Sequence, residues 1–70
     1  MRNIIADLRK KNGYTQQALA DSLGVSRQTI ISLENGRYNP SIMLAYRLAK
    51  LFGKSIEEVF VFEDGNKKGI

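Results

Sequence analysis

The sequence predicts an all-α domain of five short helices with a short C-terminal β-strand. Three observations carry that expectation. Hydroxyl residues suited to helix starts alternate along the chain with glycines suited to helix ends: Thr15, Ser26, Ser41 and Ser55 against Gly13, Gly24, Gly36 and Gly53. Between them apolar residues recur at three- and four-residue intervals, as on one face of a helix. Only VFVFE, residues 59–63, changes to a period of two, the signature of a strand.

The first helix is expected from about Asn3 to Lys11, with Ile4, Ile5 and Leu8 as its apolar stripe. Its last turn is basic, where the helix dipole favours cations. Thr15 caps a second helix that reaches Leu23. Tyr14 before the cap and Leu19 within the helix are spaced as a hydrophobic staple, while Ala18 stands where a full capping box needs Glu. Ser26 caps a third helix from Arg27 to about Asn35, with Ile30 and Leu33 facing inward. Arg37 to Pro40 is a loop, because Pro40 keeps Asn39 out of helical geometry. Ser41 caps a fourth helix running to Leu51 or Phe52. Ser55 and Glu58 form a capping box for a short fifth helix, Ile56 to about Val59. Residues 1–62 are read as one domain and residues 63–70, DGNKKGI preceded by Glu63, as a flexible tail.

Composition narrows the function classes. Seventy residues make one small domain with a marginal core of its own. There is no cysteine and no histidine, which removes disulfides and the usual zinc sites. No run approaches the roughly 20 apolar residues of a membrane span. A secretory leader is not recognisable after Met1 and Arg2, so a cytoplasmic place is expected. Asp7, Asp21 and Glu34 show no metal spacing and no glycine-rich phosphate loop occurs. Neither an enzyme, nor a cofactor, nor a small-molecule ligand is therefore expected. The net charge is +4, unevenly spread. Residues 1–54 hold nine Lys and Arg against three Asp and Glu, and residues 55–70 hold two against four. A basic body suits a polyanionic partner, and the acidic end faces away from it.

Residues 16–36, QQALADSLGVSRQTIISLENG, are the most informative stretch. Leu19, Ala20 and Leu23 give the second helix one apolar face, and Gly24 stands where the chain must reverse. The third helix then leaves Arg27, Gln28, Ile31, Ser32 and Asn35 outside, a set suited to base edges and phosphates. The pattern Gln16, Leu19, Ala20, Leu23, Gly24, Val25, Ile30, Leu33 resembles the helix-turn-helix of the lambda-repressor/Cro type, the XRE family. The flanks LRKKNGYTQQ and LENGRYNPS are similar too, so the resemblance covers about Ile4 to Phe62.

The resemblance implies a lambda-repressor-like fold and binding to double-stranded DNA. It implies base contacts at Arg27, Gln28 and Ser32. Gln pairs with adenine and Arg with guanine in bidentate fashion. Ile31 is open between covering a thymine methyl and completing the local core beside the fourth helix. Phosphate contacts are expected from Gln16 at a helix N-terminus, from Ser26, and from Asn35, Arg37, Tyr38 and Asn39 after the reading helix. The resemblance also implies that Arg9 and Glu34 form a buried ion pair between the first and third helices. The favoured expectation is a sequence-specific regulator of transcription, a repressor on a palindromic operator. The second reading is an antitoxin-like module whose main ligand is another protein. A single helix-turn-helix makes few base contacts, so a homodimer is expected. Its surface is placed at the far end of the chain: Phe60, Val61, Phe62 and the Ile56–Val59 turn. An unpaired strand edge there needs a cover, either a second copy or residues 1–4 of the same chain.

Overall fold

Four hydroxyl side chains start four helices. In the computed structural model, which describes residues 1–62, Thr15, Ser26, Ser41 and Ser55 all hold extended backbone. Each accepts a hydrogen bond from the backbone N–H three residues on, at 2.9 to 3.2 Å. Four N–H groups that a helix start would leave unpaired are thereby satisfied. The helices that follow are α2 (Gln16–Leu23), α3 (Arg27–Glu34), α4 (Ile42–Leu51) and α5 (Ile56–Val59), preceded by α1 (Ile5–Lys11). Glu58 completes the box at α5 by accepting from the Ser55 N–H at 2.8 Å.

Glycine is required at the turn between α2 and α3. Gly24 has φ +71°, and around it the Val25 N–H reaches back to the Ala20 carbonyl at 3.0 Å. Such a left-handed residue after the last helical turn satisfies carbonyls that would otherwise lack partners. Gly36 does the same at the end of α3, with the Arg37 N–H on the Ser32 carbonyl at 3.0 Å.

The core is built from one stripe of each helix: Ile5 and Leu8 of α1, Leu19 and Leu23 of α2, Ile30 and Leu33 of α3, Leu48 of α4 and Val59 of α5. Phe60, 2 % exposed, fills the end of this core beside Val59. Tyr14 packs edge-on against Phe52, ring centroids 5.9 Å apart, and so ties the α1–α2 turn to the end of α4.

The two ends of the described chain differ from the sequence expectation. α1 begins at Ile5, not Asn3, because the main chain of Arg2 to Ile4 is committed to pairing with Val59 to Val61. The pairing is one antiparallel bridge, Asn3 with Phe60, flanked by Ile4 N–H to Val59 O at 2.9 Å and Val61 N–H to Arg2 O at 2.8 Å. The expected C-terminal strand is thus reduced to a bridge. Its length is limited on both sides: Phe60 N–H still closes α5 on the Ile56 carbonyl, and its partner turns into α1 at Ile5. The cover over this edge is the chain's own N-terminal residues. The expected tail, 63–70, lies outside the described residues.

Candidate nucleic-acid interface

α3 is held at both ends and along one side, which leaves one face open. At about 100° per residue, buried Ile30 and Leu33 point one way, and Gln28, Ile31, Ser32 and Asn35 point the opposite way. Gln28 and Asn35 are exposed, and Ile31 and Ser32 half-buried. Arg27 lies exposed at one edge of this face. Ile31 is not among the half-buried apolar residues packed on the core. α2 packs directly on α3, so the face is carried by a pair of helices.

The N-terminal ends of α2 and α3 converge on a shallow depression lined by Arg9, Tyr14, Thr15, Gln16, Gln17 and Arg27. Unpaired N–H groups and the positive ends of helix dipoles make such a place attractive to phosphate. Ser26 is engaged as the α3 cap, its Oγ 2.9 Å from Thr29 Oγ1. Arg37, Tyr38 and Asn39 are exposed on the far side of α3. The two groups of expected phosphate ligands therefore flank the open face of α3 from opposite ends.

Beneath this face lies a polar network. Arg9 Nε donates to Glu34 Oε2 at 2.6 Å, and its terminal nitrogens reach Glu34 Oε1 at 3.4 Å and the Tyr14 carbonyl at 3.1 Å. The two side chains are only 12 % and 9 % exposed. Gln16 Nε2 also donates to Glu34 Oε1, at 3.2 Å. One carboxylate on α3 thus gathers α1 and α2. A planar guanidinium bound through two nitrogens fixes direction as well as distance. Gln16 keeps a second N–H on the same nitrogen for another acceptor.

A helix-turn-helix family profile matches residues 5–59, with the turn at Gly24 and the open face of α3 inside it. The chain belongs to the XRE-type helix-turn-helix family. It is 52 % identical over 69 residues to an uncharacterized HTH-type transcriptional regulator of Methanothermobacter thermautotrophicus, covering 96 % of this chain and 100 % of that one. A regulator of the same description from Archaeoglobus fulgidus is 50 % identical over 64 residues, 91 % of each chain. The competence pilus inhibition repressor of Acinetobacter baylyi is 46 % identical over 59 residues, 81 % of this chain and 52 % of that protein. This helix-turn-helix protein is accordingly a DNA-binding regulator of transcription. No helix among its described residues is long and apolar enough to cross a membrane. No three His, Cys, Asp or Glu among those residues are grouped to hold a metal.

At the far end, the structure redistributes the residues expected at a dimer surface. Val59 and Phe60 are buried within the single chain, with Phe60 at the floor of a groove and not on an exposed strand edge. They are buried because Arg2 to Ile4 cover the edge and the core needs a large plug at that end. Val61 and Phe62 remain 39 % and 55 % exposed. Ile56, Phe60 and Phe62 line one groove together with Pro40, Ile42 and Ala45. Ile42, at 77 % exposed, was not singled out by its sequence, although it opens a helix with no buried neighbour before Leu44. Asn3 is the other residue that sequence reading missed. An Asn just before an apolar helix signals a local cap, and nothing local signals its contact with α3.

Proposed function

We propose that this protein is a sequence-specific repressor that binds a palindromic operator as a two-fold homodimer. The observation that carries the reading is the open face of α3: Gln28, Ile31, Ser32 and Asn35, with Arg27 at its edge, on a helix braced by the Arg9–Glu34–Gln16 network. In this reading Gln28 and Arg27 bond base edges in the major groove, Ser32 adds a hydrogen bond, and Ile31 covers a thymine methyl. Gln16 holds phosphate at one flank with its free N–H, together with the Ser26 end of α3. Asn35, Arg37, Tyr38 and Asn39 hold the backbone at the other flank.

In this reading two copies join about the exposed Phe62, Val61 and Ile42, beside Ile56, and present their reading helices to one side of a duplex. Consecutive major grooves on one face of B-DNA lie about 34 Å apart. Regulation is then by occupancy of the site. The repressor of Acinetobacter baylyi supports that sign of regulation, and no described feature favours an antitoxin-like role.

Selection of bound fragments from random DNA with the purified protein tests the reading. The expected product is a motif with two inverted half-sites, bound with an affinity that falls steeply as salt rises. Equal affinity for the selected site and for random DNA at physiological salt would overturn it. Truncation before Val59 is no test of the dimer, because it removes core residues. Ile42→Glu and Phe62→Glu change exposed side chains and should yield folded monomers by sedimentation. Dimers that persist in both variants would remove this surface from the proposal.

A further inference from the structure

Asn3 stands outside the helix-turn-helix, yet its side chain reaches the end of α3. Its Nδ2 donates to the Leu33 carbonyl at 2.8 Å and to the Met1 carbonyl at 3.1 Å, and its Oδ1 accepts from the Ile5 N–H at 3.0 Å. Its main chain pairs with Phe60. One half-buried residue therefore joins the start of α1, the end of α3 and the segment after α5.

The contact falls on a sensitive point. The Leu33 carbonyl already accepts from the Gly36 N–H at 3.0 Å, within the turn that ends α3. Carbonyls at that end carry the negative pole of the helix, so a second donor there fixes the direction of the last turn. Ser32 and Asn35 lie on that turn, and Arg37 to Asn39 follow it directly. A reading face has to be held to within about 0.5 Å to discriminate between bases. On the other side, Arg2 and Ile4 are bonded to Val61 and Val59, next to the exposed Phe62. The segment at the far end thus reaches the end of α3 through the Asn3 side chain on the Leu33 carbonyl, beside the Met1 ammonium on the Gly36 carbonyl at 2.6 Å.

We propose that Asn3 is a positioning residue for DNA recognition, setting the angle of α3 and its trailing loop against residues 59–62. The inference rests on α3 being the base-reading helix. Asn3 touches no DNA. It acts through the Leu33 carbonyl, and it makes the reading geometry depend on the segment through which copies join.

The test compares Asn3→Asp with Asn3→Ala in fluorescence anisotropy on the selected site and on a scrambled duplex, beside urea melts. Asn3→Asp keeps the acceptor for the Ile5 N–H but loses the donor to Leu33, whereas Asn3→Ala loses both. Both variants are expected to lose roughly tenfold in preference for the selected site over the scrambled duplex. A folded variant with the parent's preference, whatever its melting midpoint, would overturn the proposal and leave Asn3 a structural residue. Should both variants fail to fold, the unmodified protein decides. The Asn3 side-chain amide signals in NMR are expected to shift with the selected site and not with the scrambled duplex. Unmoved signals would overturn the proposal. Failure of the base-reading assignment is separately visible, since Gln28→Ala would then leave the parent's preference intact.

Discussion

Arg9→Ala is expected to damage stability far more than it damages DNA binding by the folded protein. The substitution removes two donors to Glu34 and one to the Tyr14 carbonyl. It leaves a carboxylate that is 9 % exposed, with the Gln16 amide at 3.2 Å as its remaining partner. Removing one member of a buried pair costs about 3–5 kcal/mol, chiefly because the other charge stays behind unpaired. The residual exposure and the Gln16 bond point to the lower end, about 3 kcal/mol. A domain of this length has on the order of 3–10 kcal/mol of stability in total. At about 4–8 °C per kcal/mol, the melting temperature should fall by about 12–24 °C. Thermal and urea unfolding by circular dichroism measure this, and anisotropy on the selected site, below the variant's transition, measures binding. Arg9→Met with Glu34→Leu removes both charges and should melt above Arg9→Met alone, since no orphan carboxylate remains. An Arg9→Ala protein that melts like its parent but has lost DNA would refute the reasoning and make Arg9 a phosphate ligand. A double variant less stable than the single one would show that the pair itself, not the orphaned charge, carries the energy.

Gln28→Ala should relax sequence preference by about 1–3 kcal/mol at the base pair it reads, seen as a broadened position in a repeated selection. Arg37→Ala should instead weaken every duplex alike and reduce the slope of affinity against salt by roughly one ion. At Gly24 a Cβ would meet no atom within 4 Å, so Gly24→Ala isolates backbone strain, about 1–2 kcal/mol for a left-handed residue that gains a side chain. The Glu58 carboxyl is held below its ordinary 4.5, first by the Ser55 backbone N–H it accepts, with desolvation opposing and Lys54 assisting. Because the folded value is the lower one, this contribution is full above 4.5 and is lost as pH falls below it. Glu58→Gln keeps an acceptor for the capping box, so its stability should fall less between neutral pH and acid than the parent's does.

How much of this was legible in the sequence follows from the range of the forces involved. The starts of α2 to α5 rest on contacts over three residues, between a hydroxyl and an N–H, and a hydroxyl residue before an apolar period announces them. The turn at Gly24 and the outward set on α3 are legible for the same reason. Their geometry is fixed within the segment that encodes it. α1 started two residues later than its apolar stripe suggested, because Arg2 to Ile4 answer to Val59 to Val61 across nearly the whole chain. Alternation over residues 59–62 tells which side chains share a side, but not which side is inside. Phe60 was therefore read as surface and is core. The Arg9–Glu34 pair spans 25 positions and was reached only through the family resemblance.

Gln16 shows how one polar side chain can serve a local signal and a distant one together. Its place at the start of α2 marks it for phosphate, and its amide in fact rests on Glu34 of α3. The two roles are compatible because a primary amide nitrogen carries two N–H groups and Glu34 occupies one of them. The bond to Glu34 then aims the other N–H, and the same carboxylate is fixed in turn by Arg9. Loss of Glu34 would therefore leave Gln16 free to rotate at the mouth of the depression beside Arg27. Glu34→Gln keeps one oxygen, for Gln16 and one Arg9 nitrogen, but it removes the charge and turns an NH2 toward the Arg9 Nε–H. In folded protein at fixed salt it should weaken binding to all duplexes alike, with sequence preference unchanged, because in the proposed reading the aimed group holds a phosphate. A Glu34→Gln variant that instead altered the selected motif would mean that the network positions the base-reading side chains directly.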